Sequence, residues 1–62
     1  GALHADTVAT AWDLLKVRRD TGDAAGAQAL RAAHVTPLLA LPEGDRDARQ
    51  QAVARQIRED GG

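Results

Sequence analysis

Residues 6–35 read DTVATAWDLLKVRRD-TGD-AAGAQALRAAHV, and this stretch decides the fold. The first segment predicts a helix over residues 6–20, with Asp6 or Thr7 as its N-cap. Its apolar residues recur at i, i+3, i+4 and i+7, the spacing of one helix face: Val8, Ala11, Trp12 and Leu15. Leu14 widens this face, whereas Val17 falls on the opposite side. An apolar residue there either covers a second contact or, more often, is a tolerated surface residue, and we favour the second interpretation.

A turn at Thr21-Gly22-Asp23 separates this helix from the next one. Glycine adopts the left-handed conformation that ends many helices, and aspartate caps the start of the following one. The second helix is expected from about Ala24 to His34 or Val35, antiparallel or steeply crossed to the first. Its small residues predict close contact with the first helix, with Trp12 and Leu15 lying over an alanine-lined surface.

Two more segments complete an all-α fold of three main helices with a short fourth helical turn at 37–41. Thr36-Pro37 predicts either a new helical turn capped by Thr36 or a kinked continuation of the second helix. A third main helix is expected over residues 45–59, with Asp45 as its cap. The predicted core consists of Trp12, Leu15, Leu30, Leu38, Leu39, Val53 and Ile57.

Large apolar side chains are scarce in this chain. Fourteen of the 62 residues are alanine, against seven leucines, four valines, Ile57 and Trp12, and Phe, Tyr, Met and Cys are absent. A domain of this length is marginally stable even with an ordinary core. We therefore expect another surface, from a second copy or another protein, to complete it.

Residue chemistry disfavours an enzyme. The sequence has no Cys and no Ser to act as a nucleophile, and its glycines form no phosphate-binding loop. His4 and His34, thirty residues apart, give no metal-ligand spacing. We expect no catalytic residue, cofactor or metal, and no membrane span or export signal, hence a cytoplasmic protein.

Nucleic-acid binding is the alternative that small trihelical domains suggest. A net charge of −1 and acidic residues interleaved with the basic ones favour a solvated mixed-charge face instead. If DNA were bound, the reading residues would come from the third main helix: Arg46, Arg49, Arg55, Gln50, Gln51 and Gln56.

One part of the sequence resembles the helix–turn–helix unit of a tetratricopeptide repeat. The resemblance lies in Ala11-Trp12, Leu15, Gly22-Asp23 and Ala27. The interval from Trp12 to Gly22 is one residue shorter than in that pattern, and Pro37 arrives about two residues early. The resemblance implies a helical hairpin or spacer, and a solenoid needs several stacked copies.

The sequence as a whole predicts a non-catalytic protein–protein interaction module over residues 6–59, between tails or linker remnants at 1–5 and 60–62. Docking or dimerisation domains of larger bacterial proteins, such as modular biosynthetic megasynthases, are its analogues in size and class. The partner, another protein or a second copy, is expected to contact the C-terminal half through Leu38, Leu39, Leu41, Val53, Ile57 and Arg49.

Overall fold

The computed structural model describes residues 3–61, and every regular element in that range is helical, which confirms the all-α prediction. The elements are α1 (Ala5–Asp20), α2 (Ala24–Leu30), a π-helical turn (Arg31–Val35), α3 (Thr36–Ala40), a 3-10 turn (Glu43–Asp45) and α4 (Ala48–Glu59). Residues 1, 2 and 62 of the predicted tails lie outside the described range.

Helix α1 begins and ends at identifiable caps. The predicted N-cap at Asp6 or Thr7 is wrong, because His4 caps the helix: its Nδ1 accepts a hydrogen bond from the Asp6 amide at 3.2 Å. At the other end Gly22 has φ +85°. Its amide donates to the Arg19 carbonyl at 3.1 Å, and the amide of the next residue reaches back to Arg18 at 2.8 Å. This pair of bonds is a Schellman motif, as the turn glycine predicts.

The second helix does not stop at Thr36-Pro37. Asp23 caps its start as predicted, accepting from the Gly26 amide at 2.9 Å. The chain then stays helical through α3, because Thr36 has φ −58° and ψ −46° and is no cap. Of the two predicted alternatives, the continuous helix is the one observed.

A π turn accommodates Pro37 in this continuous helix. The Thr36 amide donates to the Arg31 carbonyl, five residues back, so the turn contains one residue more than an α turn. Proline cannot donate to an i−4 carbonyl and its ring crowds that carbonyl. The wider turn lies directly before the proline, where it changes the phase of the helix by one residue.

The first residue of α4, Ala48, lies three residues after Asp45, the residue predicted as its N-cap. Asp45 belongs to the 3-10 turn, and Asp47 caps the helix instead. Asp47 and Gln50 form a capping box: the Gln50 amide donates to Asp47 Oδ1 at 2.8 Å, and the Asp47 amide donates to Gln50 Oε1 at 2.9 Å. A reciprocal cap of this kind satisfies two amides, whereas a cap at Asp45 would satisfy one.

Three contacts give the arrangement of α4 against α1. From one end to the other they join Leu3 to Gln50, Asp6 to Arg49 and Trp12 to Asp60. The first two contacts join the N-terminal ends of the two helices, and the third joins the middle of α1 to the C-terminal end of α4, so α1 and α4 are parallel. The run from α2 to α3 is antiparallel to α1. Arg31, at the middle of this run, lies 5.7 Å from the centre of the Trp12 ring system.

The core lies where the three helical runs meet. Its buried members are Val8, Trp12, Leu15, Val35, Leu38, Ala54 and Ile57. Four predicted core residues are among them, whereas Leu30, Leu39 and Val53 are only partly buried against the cluster. The small residues of α2 also differ from the prediction: Ala27 packs against the core, but Ala29, Ala32 and Ala33 are exposed.

Candidate functional site

A groove of about 470 Å³ lies between α1 and the run of α2 and the π turn. Its lining is mainly apolar or weakly polar, with Leu14 and Leu30 as its large side chains. The residues that line this α1–α2 groove are Asp6, Thr7, Thr10, Ala11, Leu14, Leu30 and His34. A concave surface of this kind, formed by two helices, suits an extended apolar ridge such as the face of a third helix.

An exposed stripe of α1 borders the groove. Leu14 is 41% exposed and Val17 is 58% exposed, and they are the exposed large hydrophobic residues of the described chain. Thr7, Thr10 and Thr21 are exposed as well. Together these five residues, which we call the outer stripe, follow one another at intervals of three, four, three and four residues. That spacing keeps them on one side of the helix, as in a coiled-coil seam.

Three aspartates line one flank of the outer stripe. Asp6, Asp13 and Asp20 are seven residues apart, and we call them the acid row. Asp13 lies three residues after Thr10 and four before Val17, so its side chain neighbours both on the helix surface. The three carboxylates are 64%, 78% and 75% exposed. The outer stripe is therefore bounded on this side by solvated negative charge, and Asp6 of the row also lines the groove.

Each aspartate of the acid row has one cation nearby. The pairs are Asp6–Arg49, Asp13–Lys16 at 3.7 Å and Asp20–Arg19 at 3.6 Å. Exposed pairs of this type contribute about 0–1 kcal/mol each. Lys16 is shared with Asp60, whose Oδ2 lies at 3.4 Å, closer than the Asp13 carboxylate. The pairs leave the carboxylates open to water and to further cations.

A second network ties the end of α4 to α1. Trp12 Nε1 donates to Asp60 Oδ2 at 2.9 Å, and Gln56 and Lys16 donate to the same carboxylate at 3.3 and 3.4 Å. The indole hydrogen bond, followed by the bond from Gln56, holds the pKa of Asp60 below the ordinary value of 3.8. Asp60 was predicted to lie in a tail, but it is a structural contact of the folded chain.

The indole itself is 2% exposed. Lys16 Nζ lies 6.0 Å and the Arg31 guanidinium 5.7 Å from the centre of the Trp12 ring system, distances at which cations are attracted to the ring face. The only aromatic side chain is thus used inside the fold and offers no surface to a ligand.

A more polar depression of about 510 Å³ lies between the 3-10 turn and α4. Glu43, Gln51, Ala54, Arg55, Arg58 and Glu59 line it. The two acids and two arginines offset one another in charge, and no nucleophilic side chain accompanies them. This depression has the composition of a solvated, mixed-charge surface.

The structure divides the predicted partner-binding residues. Leu38 and Ile57 are 0% exposed, so the prediction that they meet a partner is corrected: they fill the core of the single chain. Leu39, Leu41 and Val53 are partly buried and pack against that core, and the exposed Arg49 is paired with Asp6. The predicted C-terminal surface therefore has little apolar area left to offer.

The sequence did contain the signal for the α1–α2 groove. Val17 lies outside the buried face of α1, and Leu14 lies at its edge. The interval of three residues between them continues to Thr10 on one side and Thr21 on the other. This second periodic stripe on α1, and not the densest leucine cluster, marks the exposed surface.

Five of the six candidate DNA-reading residues make contacts within the chain, whereas Arg55 is exposed on α4. Arg46 donates to the Leu39 carbonyl and to Gln51 Oε1, both at 3.1 Å. Gln50 caps α4 and also donates to the Leu3 carbonyl at 2.8 Å. Side chains held in this way are not presented together on one free helix face.

Within residues 3–61, no group of three His, Cys, Asp or Glu side chains converges to hold a metal ion. None of the described helices combines the length and the apolar character that crossing a bilayer requires. Comparison of the chain with protein-family models, with curated proteins and with solved structures finds no match.

Proposed function

We propose that this chain is a non-catalytic protein–protein interaction module that binds a helix of another protein in the α1–α2 groove. The observation that carries the proposal is the exposure of Leu14 and Val17, at 41% and 58%, beside a groove lined by Leu30. A cytoplasmic location and a docking role in a larger bacterial protein stay predictions.

The scarcity of large apolar residues makes this exposure informative. The core of the single chain closes around seven buried residues, none of which comes from the outer stripe. Of thirteen large apolar side chains, two on neighbouring turns of one helix are thus exposed, whereas the others are buried or partly buried. Covering their exposed parts would contribute about 2 kcal/mol to binding.

The mechanism is the packing of a helix into a groove. The stripe spacing of three and four residues matches a partner helix whose apolar residues recur in the same way. Leu14 would enter the space between partner side chains, and Leu30 would close the floor from α2. Because the fold is already complete on the other side of α1, this contact requires no rearrangement of the core.

The engaged state of Arg46 and Gln50 supports protein binding over the alternative of DNA binding. The exposed carboxylates around the groove act in the same direction, since they repel a phosphate backbone. Duplex DNA therefore serves as a negative probe. Affinity for it that falls steeply with salt would favour the alternative.

Two synthetic helical peptides test the proposal. Each is about three heptads long with Leu at alternating intervals of three and four residues. One carries Lys on both flanks of the Leu stripe and the other carries Glu. We expect at least one of them to bind the 15N-labelled chain, with amide shifts concentrated at α1 and α2. The Leu14→Gln, Val17→Gln double variant should lose that binding.

A matched control places the same number of glutamines elsewhere. Ala48 and Ala52 are exposed on α4, so the Ala48→Gln, Ala52→Gln variant should bind as the parent chain does. Circular dichroism checks that all variants are folded. Absence of binding by both peptides, or equal loss in the control variant, would contradict the proposal.

A further inference from the structure

We propose that the helix bound in the α1–α2 groove is basic along one flank, and that the acid row selects it. This inference rests on the proposed function and names the chemistry of its partner: an amphipathic helix of another protein, with Lys or Arg recurring about every seven residues beside its apolar stripe.

The position of the acid row carries the proposal. Asp6, Asp13 and Asp20 occupy the same place in three successive heptads, directly beside the outer stripe. In two packed helices this place faces the flank of the partner, and charges there choose which helices pair. At about 1.5 Å rise per residue, successive carboxylates are about 10 Å apart along α1. A basic residue in each heptad of the partner would reach each of them.

The cations already beside the row do not replace this partner. Arg49 pairs with Asp6 from α4, so the charge left for a partner comes mainly from Asp13 and Asp20. Lys16 and Arg19 lie three residues after Asp13 and one residue before Asp20, on the flank of the row that faces away from the stripe. Lys16 is nearer to Asp60 than to Asp13, at 3.4 against 3.7 Å. The carboxylate of Asp13 remains 78% exposed. Negative charge thus stays available on the side that a docked helix covers.

A second copy of this chain is the wrong occupant for the same reason. If two α1 stripes packed antiparallel, the acid rows of the two copies would face each other and repel. If they packed parallel, Asp13 of one copy would meet Arg18 of the other. Arg18 is already bound to Asp23 at 2.9 Å, and at the preceding heptad Asp6 would meet the uncharged Ala11. In neither orientation does a second copy place a cation opposite each aspartate of the acid row.

The two peptides described above distinguish the charge of the partner. At low salt we expect the Lys peptide to bind the parent chain about tenfold more tightly than the Glu peptide, as several weak exposed pairs together allow. The Asp13→Lys, Asp20→Lys variant should reverse this preference. Added salt should reduce the difference in both cases, because exposed charges are screened. Isothermal titration calorimetry measures all four affinities.

A control variant separates local charge from net charge. Asp45→Lys with Glu59→Lys changes the net charge by the same amount at exposed positions outside the acid row. It should keep the parent preference for the Lys peptide. An equal reversal in this control would show that net charge alone decides, and the inference would be wrong.

The remaining outcomes separate the inference from the proposed function. If both peptides bind the parent chain equally and both lose binding in the Leu14→Gln, Val17→Gln variant, the groove binds helices without charge selection and only the inference fails. If neither binds, both fail. If sedimentation shows a dimer of the parent chain that the same double variant abolishes, a second copy occupies the groove and the inference is overturned.

Discussion

The same substitution, valine to alanine, at Val8 and at Val17 tests whether α1 has one face in the core and another that is free to bind a partner. Both are valines in the same helix, nine residues apart, but Val8 is 0% exposed and Val17 is 58% exposed. We predict that Val8→Ala strongly destabilises the fold and that Val17→Ala leaves its stability nearly unchanged.

The expected magnitudes follow from burial. At Val8 the change removes two buried methyl groups, about 1.6 kcal/mol of transfer free energy, and leaves a cavity that adds roughly 1 kcal/mol. The better helix propensity of alanine returns about 0.5 kcal/mol. The net loss is about 2 kcal/mol. At Val17 less than half of the side chain is covered, so the transfer loss and the propensity gain nearly cancel.

Urea and thermal unfolding followed by circular dichroism measure both variants. For a domain of this size about 2 kcal/mol corresponds to a fall in Tm of about 10 °C, against little change for Val17→Ala. If the two variants lost stability equally, Val17 would be a member of the core. The outer stripe would then no longer be free for a partner, and the proposed function would lose its main support.

Three further predictions test the turns and the caps. Gly22→Ala should cost about 1 kcal/mol by urea unfolding, because Gly22 has a left-handed φ of +85°. Gly44 has no such φ and its Cβ would enter open space, so Gly44→Ala should change stability by less than about 0.5 kcal/mol. Stability should fall as pH drops below about 4, because the pKa of Asp60 is lower in the folded state than the unfolded value of 3.8. Protonation then removes the carboxylate that accepts from Trp12. Asp60→Asn should flatten this pH dependence in urea melts followed by tryptophan fluorescence. Gly26→Ala should not give the stabilisation usual for such a change in a helix, because the new Cβ would lie 2.8 Å from Cγ of the capping Asp23 and 2.9 Å from Cδ of Arg18. Asp23→Ala removes the first neighbour and releases Arg18 from its ion pair, so in that background the same substitution should stabilise the chain. Equal effects in both backgrounds would contradict the clash.

The sequence predicts the helices better than their ends. Turn chemistry identified Gly22 and Asp23, because left-handed backbone and N-capping are local requirements. The start of α4 was misplaced because Asp45 and Asp47 are both good caps. The choice between them depends on the reciprocal bond from Gln50, and on the 3-10 turn that takes up Asp45.

Pro37 shows why the middle of the chain was harder to predict. In an unbroken α-helix, residue 34 would lie on the same face as Leu30, four residues earlier, and would be the next residue to face the core. The π turn inserts one residue, so Val35 becomes fully buried and His34 lines the groove instead. A phase change of this kind depends on how the backbone accommodates the proline, which spacing alone does not encode.

The candidate surface was missed for a different reason. The leucine cluster around Leu38 and Leu39 is the densest apolar segment, and density indicated a binding site there. Three helical runs converge on that cluster, so Leu38 is buried in the core of the single chain. The outer stripe is sparser, yet it stays exposed because no other element of the described chain covers it.

The parallel packing of α1 and α4 affects the order in which the chain folds. Contacts between α1 and α2 join residues that are close in sequence, such as Arg18 and Asp23. Those between α1 and α4 span 47 residues at Leu3–Gln50 and 48 at Trp12–Asp60. Closing so long a loop is entropically costly, so we expect the α1–α2 hairpin to form early and α4 to dock late. The groove lies wholly on the early hairpin, so a partner helix would find its site before the chain has finished folding.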